Sequence, residues 1–221
     1  MARDFDDVTD QRATTANAAV SAYPITIAAW VYLSTAQAGE LVYIVENPGA
    51  SSYVELIIRD NGGGSWRIVA GANGAGTRAF STTVLSTGQW YHACGTYTST
   101  ATRSVYTDGG GSATNSTAAG AFAGVNNTGV ACNTLDVGAT FDGRMAEVAV
   151  WSVVLDADEI TALAKGFSPL LIRPQSLAAY WPLFGNDSPE LDRGKNKFDL
   201  TLTATPTKAD HVRMYTPHQM P

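Results

Sequence analysis

Charge is scarce in this chain. Asp, Glu, Lys and Arg make up 15% of its 221 residues, against about 25% in an average soluble domain. The 14 basic residues are scattered and outnumbered by 20 acidic ones, for a net charge of −6. A nucleic-acid binder needs clustered Lys and Arg, so no nucleic-acid partner is expected. Cysteine is scarcer still, with only Cys94 and Cys132. Two are too few for a disulfide framework and fit no zinc spacing. One bridge between them or two buried thiols both remain open at this level. No HExxH, P-loop, GxSxG or CxxC pattern occurs. The most apolar stretch, residues 25–33, is too short to cross a bilayer, so membrane insertion is not expected. The opening residues, Met1-Ala2-Arg3-Asp4-Phe5-Asp6, carry no signal-peptide pattern.

What is present is alternation. Ile25, Ile27, Ala29, Val31 and Leu33 fall on one face of a nine-residue segment with period 2, the mark of a strand with one buried face. Further strand patterns cover residues 41–45, 53–58, 66–70, 80–85, 90–97, 104–107, 134–137, 144–152, 177–184 and 198–203. Asn61-Gly62-Gly63-Gly64 is a turn signal between two of them. Many short strands separated by turns every 8–12 residues predict an all-β, two-sheet antiparallel sandwich. A length of 221 residues suits one such domain, because all-β domains of about 200–250 residues are routine.

One helix interrupts the pattern near 157–165. Asp156 and Glu159 have capping-box spacing, Ile160, Leu163 and Ala164 recur at helical period, and Gly166 supplies a stop. Residues 109–129 are almost all Gly, Ala, Ser, Thr and Asn and read as a long loop or a weak strand pair. Two glycosylation patterns, at Asn115 and Asn126, are taken as ordinary loop sequence. Residues 206–221 hold three prolines and no period. They read as an extended arm that lies on the surface or reaches a neighbour.

Several segments together resemble the laminin-G-like, concanavalin-A-like jelly-roll family. Arg3-Asp4-Phe5-Asp6-Asp7 resembles its opening strand and turn, and Ile25-Thr26-Ile27-Ala28-Ala29-Trp30-Val31 its "FTISAWV" strand. Gly88-Gln89-Trp90-Tyr91-His92 and Tyr106-Thr107-Asp108-Gly109 resemble two further family strands. Phe141-Asp142-Gly143-Arg144-Met145-Ala146-Glu147-Val148, followed by residues 155–164, resembles the closing strand and helix. The resemblance implies a jelly roll over residues 1–205. It also implies a circularly permuted order, because segments matching a strand that usually comes first lie at 176–203. Permutation is tolerated where chain ends lie close together.

The same superfamily includes glucanases, which need a carboxylate pair. No Glu-x-Asp-x-x-Glu strand occurs. Glu190-Leu191-Asp192 sits in a turn-rich run, and Glu147 lies among apolar neighbours, where a hydrogen-bonded structural carboxylate is expected. His92 reads as structural, while His211 and His218 lie in the arm, remote in sequence from any partner. The chain is therefore expected not to be an enzyme. Many family members bind Ca²⁺ at the sandwich rim. Here Ala146 stands where the family often has Asp, which leaves Asp108 and Asp142 as candidate ligands or as plain Asp-Gly turn residues. For a ligand, Trp66 and Tyr97 are the aromatics placed to stack, whereas Trp30, Trp90, Trp151 and Trp181 are expected in the core. The expected function is a non-catalytic structural and binding module. The first reading is a capsid-decoration-type protein on a phage virion surface, contacting other virion subunits or copies of itself, with glycan adhesion added. The alternative is a free, extracellular lectin-like module, Ca²⁺-dependent or not.

Overall fold

The computed structural model describes residues 1–46, 52–134, 140–185 and 187–215. The expected strand at 134–137 falls outside these residues beyond Thr134, as do His218 and the end of the arm. In chain order the strands are β1 (Ala2–Phe5), β2 (Arg12–Thr15), β3 (Ile25–Leu33), β4 (Gly39–Val45), β5 (Tyr53–Asp60), β6 (Trp66–Ala72), β7 (Ala79–Phe80), β8 (Trp90–Ser99), β9 (Thr102–Thr107) and β10 (Gly110–Asn115). Then come β11 (Asn127–Val130), β12 (Gly143–Trp151), helix α1 (Ala157–Ala164), β13 (Leu177–Trp181), β14 (Thr201–Thr203) and β15 (Thr207–Ala209). They form two antiparallel sheets. The first runs β10-β9-β8-β3-β12-β1-β15, with β13 also on β12, and the second runs β14-β2-β11-β4-β5-β6-β7.

Alternation decides what lies between the sheets. Ile25, Ile27, Ala29, Val31 and Leu33 of β3 all point into the shared core, with Val42, Ile44, Val54, Leu56, Ile58 and Ile68 facing them from the second sheet. Each such aliphatic side chain removed from water stabilises by about 1.5–3 kcal/mol. The residues between them on β3 must point outward. Trp30 and Tyr32 therefore stand half-buried on the outer face of the first sheet. Trp90, paired with Tyr32, is half-buried there too. The expectation that Trp30 and Trp90 belong to the core is corrected on this ground. Trp151 and Trp181 are fully buried, and each indole N–H finds a carbonyl, Trp151 that of Ile172 and Trp181 that of Phe198, both at 2.8 Å.

Helix α1 closes part of that outer face. Asp156 Oδ1 accepts the Glu159 N–H at 3.0 Å, and Glu159 Oε2 accepts the Asp156 N–H at 2.8 Å, completing the capping box. Ile160 and Leu163 then pack on Ala28, Cys94, Trp151 and Tyr180. A helix this short holds its shape through such packing. Cys94 under the helix and Cys132 after β11 are both buried and free, so they do not form a bridge. Burial pushes the Cys132 thiol up to about 12.

The C-terminal strands join the N-terminal ones. β13 and β1 lie end to end along one edge of β12, β14 pairs with β2, and β15 pairs with β1. Between the β1 and β13 pairings, β12 bulges at Glu147, whose φ is +55°. The carboxylate there is nearly buried, accepts the Tyr180 hydroxyl and faces His211 Nε2 at 3.2 Å. Residues 109–129 contain β10 and the start of β11, which do not pair with each other. β10 lies on β9 in the first sheet, and β11 between β2 and β4 in the second. At the opposite end of β5 from its loop to β4, Asp60 caps the turn into β6 by accepting the N–H groups of Gly62 (2.9 Å) and Gly64 (3.2 Å).

Candidate functional site

Among the described residues no helix covers the outer face of the second sheet. Period 2 along β5 brings Tyr53, Glu55, Ile57 and Arg59 to that face, and β4 adds Tyr43 beside Glu55 and Glu40 beside Ile57. Glu55 is 0% exposed. Its carboxylate accepts the Tyr43 hydroxyl and two N–H groups of Arg78, Nε at 2.7 Å and Nη2 at 3.3 Å. It lies flat over Gly71, where a Cβ would press on Glu55 Oε1 and come within 2.9 Å of Arg78 Cγ. Glycine at 71 is what lets the pair lie down on the sheet. Glu40 is nearly buried and paired with Arg59, while its second oxygen, Oε2, has no protein partner.

Electrostatics follow from this burial. Burial raises the Glu40 carboxyl above the usual carboxylate range, and Arg59 offsets that only in part. Burial first, and then the Glu55 charge, push the Tyr43 and Tyr53 phenols upward, so both stay neutral donors. Burial alone would lower Arg78, but its bonds to Glu55 outweigh burial and raise it. The two carboxylates thus share a face, yet both are closed off by their partners.

At one end of this face the strands open into a hollow of about 590 Å³. Glu46 and Ser52, at the facing ends of β4 and β5, line it with Asn73, Gly120, Ala121 and Gly124. Asn73, left-handed at φ +48°, suits a residue whose short amide can bond locally. Its Oδ1 accepts the Tyr53 N–H at 2.6 Å, and its Nδ2 donates to Ala121 O at 2.8 Å. Ser52 donates to Ala121 O at 3.2 Å and accepts the Ala123 N–H at 2.8 Å. These bonds fix the small-residue loop as one wall. Tyr53 follows Ser52 at the start of β5 but does not itself line the hollow; it is half-buried on the outer face of the sheet, its ring 5.6 Å from that of Tyr43. Polar groups lining a hollow can meet the hydroxyls at a pyranose rim, while the C–H faces of a sugar suit a partly exposed aromatic ring within reach.

The residues singled out from the sequence fall elsewhere. Tyr97 is 0% exposed. It pairs with Ile25 inside the core, and its hydroxyl donates to the Glu55 carbonyl. β8 runs on to Ser99, so Tyr97 is not at a strand end and its ring is closed to any ligand. Trp66 is half-buried against the core edge at the start of β6, about 20 Å along the strand from the hollow. Asp108 accepts the His92 N–H at 2.7 Å, and Asp142 the Thr35 hydroxyl at 2.8 Å. Among the described residues no three His, Cys, Asp or Glu side chains gather around either one as a metal would require. The described carboxylates alone therefore do not supply the six to eight oxygens that calcium takes. His92 is buried and held down to about 3. Glu190 binds Arg3 through Nε at 3.1 Å and Nη2 at 2.8 Å. Asp192 accepts the N–H groups of Tyr180, Gly194 and Phe198. Both shape the fold.

The hollow itself escaped the sequence reading, because backbone groups and small side chains build it. The one local mark beside it is Asn73-Gly74, which follows a strand as a loop-forming pair does.

The same architecture recurs in solved structures. A Bacteroides ovatus protein assigned as carbohydrate-binding matches 95% of this chain and 60% of its own, with a TM-score of 0.62 and 19% identity. Domain 4 of AbnA, an extracellular arabinanase of Geobacillus stearothermophilus solved with arabinotriose, matches 67% of this chain and 70% of its own (TM-score 0.52, 19% identity). Tailspike protein 2 of the Escherichia coli O157:H7 bacteriophage CAB120 matches 83% of this chain and 28% of its own (TM-score 0.51, 17% identity). At these identities the likeness is one of fold. No curated protein matches the sequence. The Laminin_G_3 profile matches residues 7–161; the chain belongs to this family, within the concanavalin A-like lectin/glucanases superfamily.

Proposed function

We propose that this chain is a non-catalytic glycan-binding module whose ligand, a short oligosaccharide, sits in the hollow between Glu46, Ser52, Asn73 and the loop at Gly120–Gly124, with one ring against Tyr53. The observation that carries this is the polar hollow at the ends of β4 and β5, one residue along the chain from a half-buried tyrosine on the sheet's outer face. A volume of about 590 Å³ lies within the range of small-ligand sites, about 300–1,000 Å³. The names of the Bacteroides protein and the arabinanase domain agree with a saccharide as the ligand class. Catalysis is left out of the proposal because glycoside hydrolysis needs two reachable carboxylates, and Glu40 and Glu55 are both enclosed.

A glycan array identifies the ligand, and titration calorimetry of the best hit then measures affinity. Tyr53→Ala should weaken binding about tenfold, the loss of roughly 1.4 kcal/mol that a stacked ring supplies. An array with no hits, or full affinity in Tyr53→Ala, would sink the reading. The finer part of the proposal is display on a phage virion, alone or as a homo-oligomer, with free extracellular lectin action as the alternative. Co-sedimentation of the protein with DNA-filled particles supports the virion; recovery only in the soluble fraction favours the lectin.

A further inference from the structure

The segment after β14 is fastened by a strained turn. Ala204 and Thr205 are both left-handed, at φ +56° and +47°, a region that L residues other than Gly, Asn and Asp avoid. Thr205 is the worse placed of the two. It is β-branched, and it precedes Pro206, whose ring drives its neighbour toward extended backbone. Beyond the turn the chain is docked at several points, although Thr207, Lys208, Asp210 and Arg213 are exposed. Pro206 is buried, and β15 adds to the edge of β1. His211 meets Glu147. The Tyr215 N–H donates to Gly166 O at 2.7 Å, the Ser168 N–H donates to Tyr215 O at 3.0 Å, and the Phe167 and Tyr215 rings lie 5.7 Å apart. Gly166 is needed for this approach, since a Cβ there would lie 2.5 Å from Arg213 O.

Each of these partners lies in the body of the sandwich, outside the turn. The docking groove therefore accepts the segment equally well from the same chain or from another copy. The two arrangements differ only at the turn, which must fold back in the closed chain and is extended in an exchanged pair. Strained short hinges of this kind favour exchange. We infer that residues 206–215 swap reciprocally between two copies of this chain, with Ala204–Thr205 as the hinge. This is independent of the glycan hollow. Contacts remade in the dimer match those of the closed chain, so the relief of the left-handed turn, together with protein concentration, sets the balance.

Asp4 and Thr207 sit opposite each other across β1 and β15, which gives a direct test. In the Asp4→Cys/Thr207→Cys variant, concentrated and then oxidised after dilution, a closed chain forms an internal bridge and an exchanged pair forms a covalent dimer. The buried Cys94 and Cys132 stay out of the reaction. A non-reducing denaturing gel should show covalent dimer in a fraction that rises with the prior concentration. Adding Ala204→Gly and Thr205→Gly, which relax the turn, should cut that fraction several-fold. Thr205→Pro, which cannot take a positive φ, should raise it, and native mass spectrometry of the hinge variants without added cysteines reads the same shift. Absence of covalent dimer at every concentration, or an equal fraction with the native and the glycine hinge, would overturn the exchange.

Discussion

Replacing Arg78 by Met removes the guanidinium that holds Glu55 while keeping most of the stem over the sheet. Glu55 is 0% exposed and has three hydrogen bonds, two of them to Arg78. The variant leaves a buried carboxylate with the Tyr43 hydroxyl alone. Orphaning one member of a buried pair costs about 3–5 kcal/mol. Arg78 is 19% exposed, so water reaches part of the gap and a loss near ~3 kcal/mol is expected. Glu55→Gln should cost less, about 1–2 kcal/mol, since the amide still accepts from Tyr43 and the freed Arg78 can turn to solvent. The double variant buries no unpaired charge, and its cost should stay near ~1–2 kcal/mol, well under the sum of the singles. Urea unfolding of all four proteins measures the cycle, with m checked for constancy. A cost below ~1 kcal/mol for Arg78→Met, or additive singles, would refute the claim that this pair is held by mutual compensation.

Glu40→Gln tests the second pair through pH. Burial raises the folded-state Glu40 carboxyl above its unfolded value, so the charged form is disfavoured in the fold and its contribution to stability falls as pH rises through the folded value. The variant should therefore gain on the parent at neutral pH, and the gain should vanish as pH drops below the ordinary carboxylate range, read from unfolding midpoints across pH. Gly71→Ala should lower stability by about 1–3 kcal/mol through overpacking against Glu55 and Arg78, read by urea unfolding. Asp156→Ala should cost about 1 kcal/mol by removing the helix cap, read the same way. Glycan affinity measured by calorimetry should be the same with and without a chelator, because among the described residues neither Asp108 nor Asp142 gathers the further carboxylates a metal would need; a chelator-dependent loss would restore the calcium reading.

The sandwich was legible where alternation was strong. β3 was read residue for residue because its five inward side chains are all aliphatic or alanine. The helix was read from its cap because Asp156 and Glu159 make the bonds that the spacing implies. β2 and β11 left no such mark. Apart from Arg12 and Val130 they are built from Thr, Ala, Asn and Gly, and backbone pairing on both sides holds them in place. The strand expected at 80–85 stops at Phe80, because Arg67 takes the carbonyls of Ser81 and Thr82 that a ladder would have used. Trp30 was misplaced although the alternation that put Ile27 and Ala29 inside already put it outside. The hollow was hidden for a different reason. It is formed by loops 20 to 70 residues apart in sequence, bound through hydrogen bonds such as Ser52 to Ala121, and no local pattern encodes that meeting.

The Asp60–Gly64 turn has a practical consequence. A Cβ at Gly62, Gly63 or Gly64 would touch nothing within 4 Å, so this hairpin tip has room for added sequence provided the three glycines, all at positive φ, are kept. It stands at the far end of β5 and β6 from the hollow, about 20 Å away. Lengthening a flexible loop costs only about 0.6 kcal/mol per doubling. A peptide tag or fluorophore grafted there would report on the module, or tether it to a surface, with the end that carries the hollow left open.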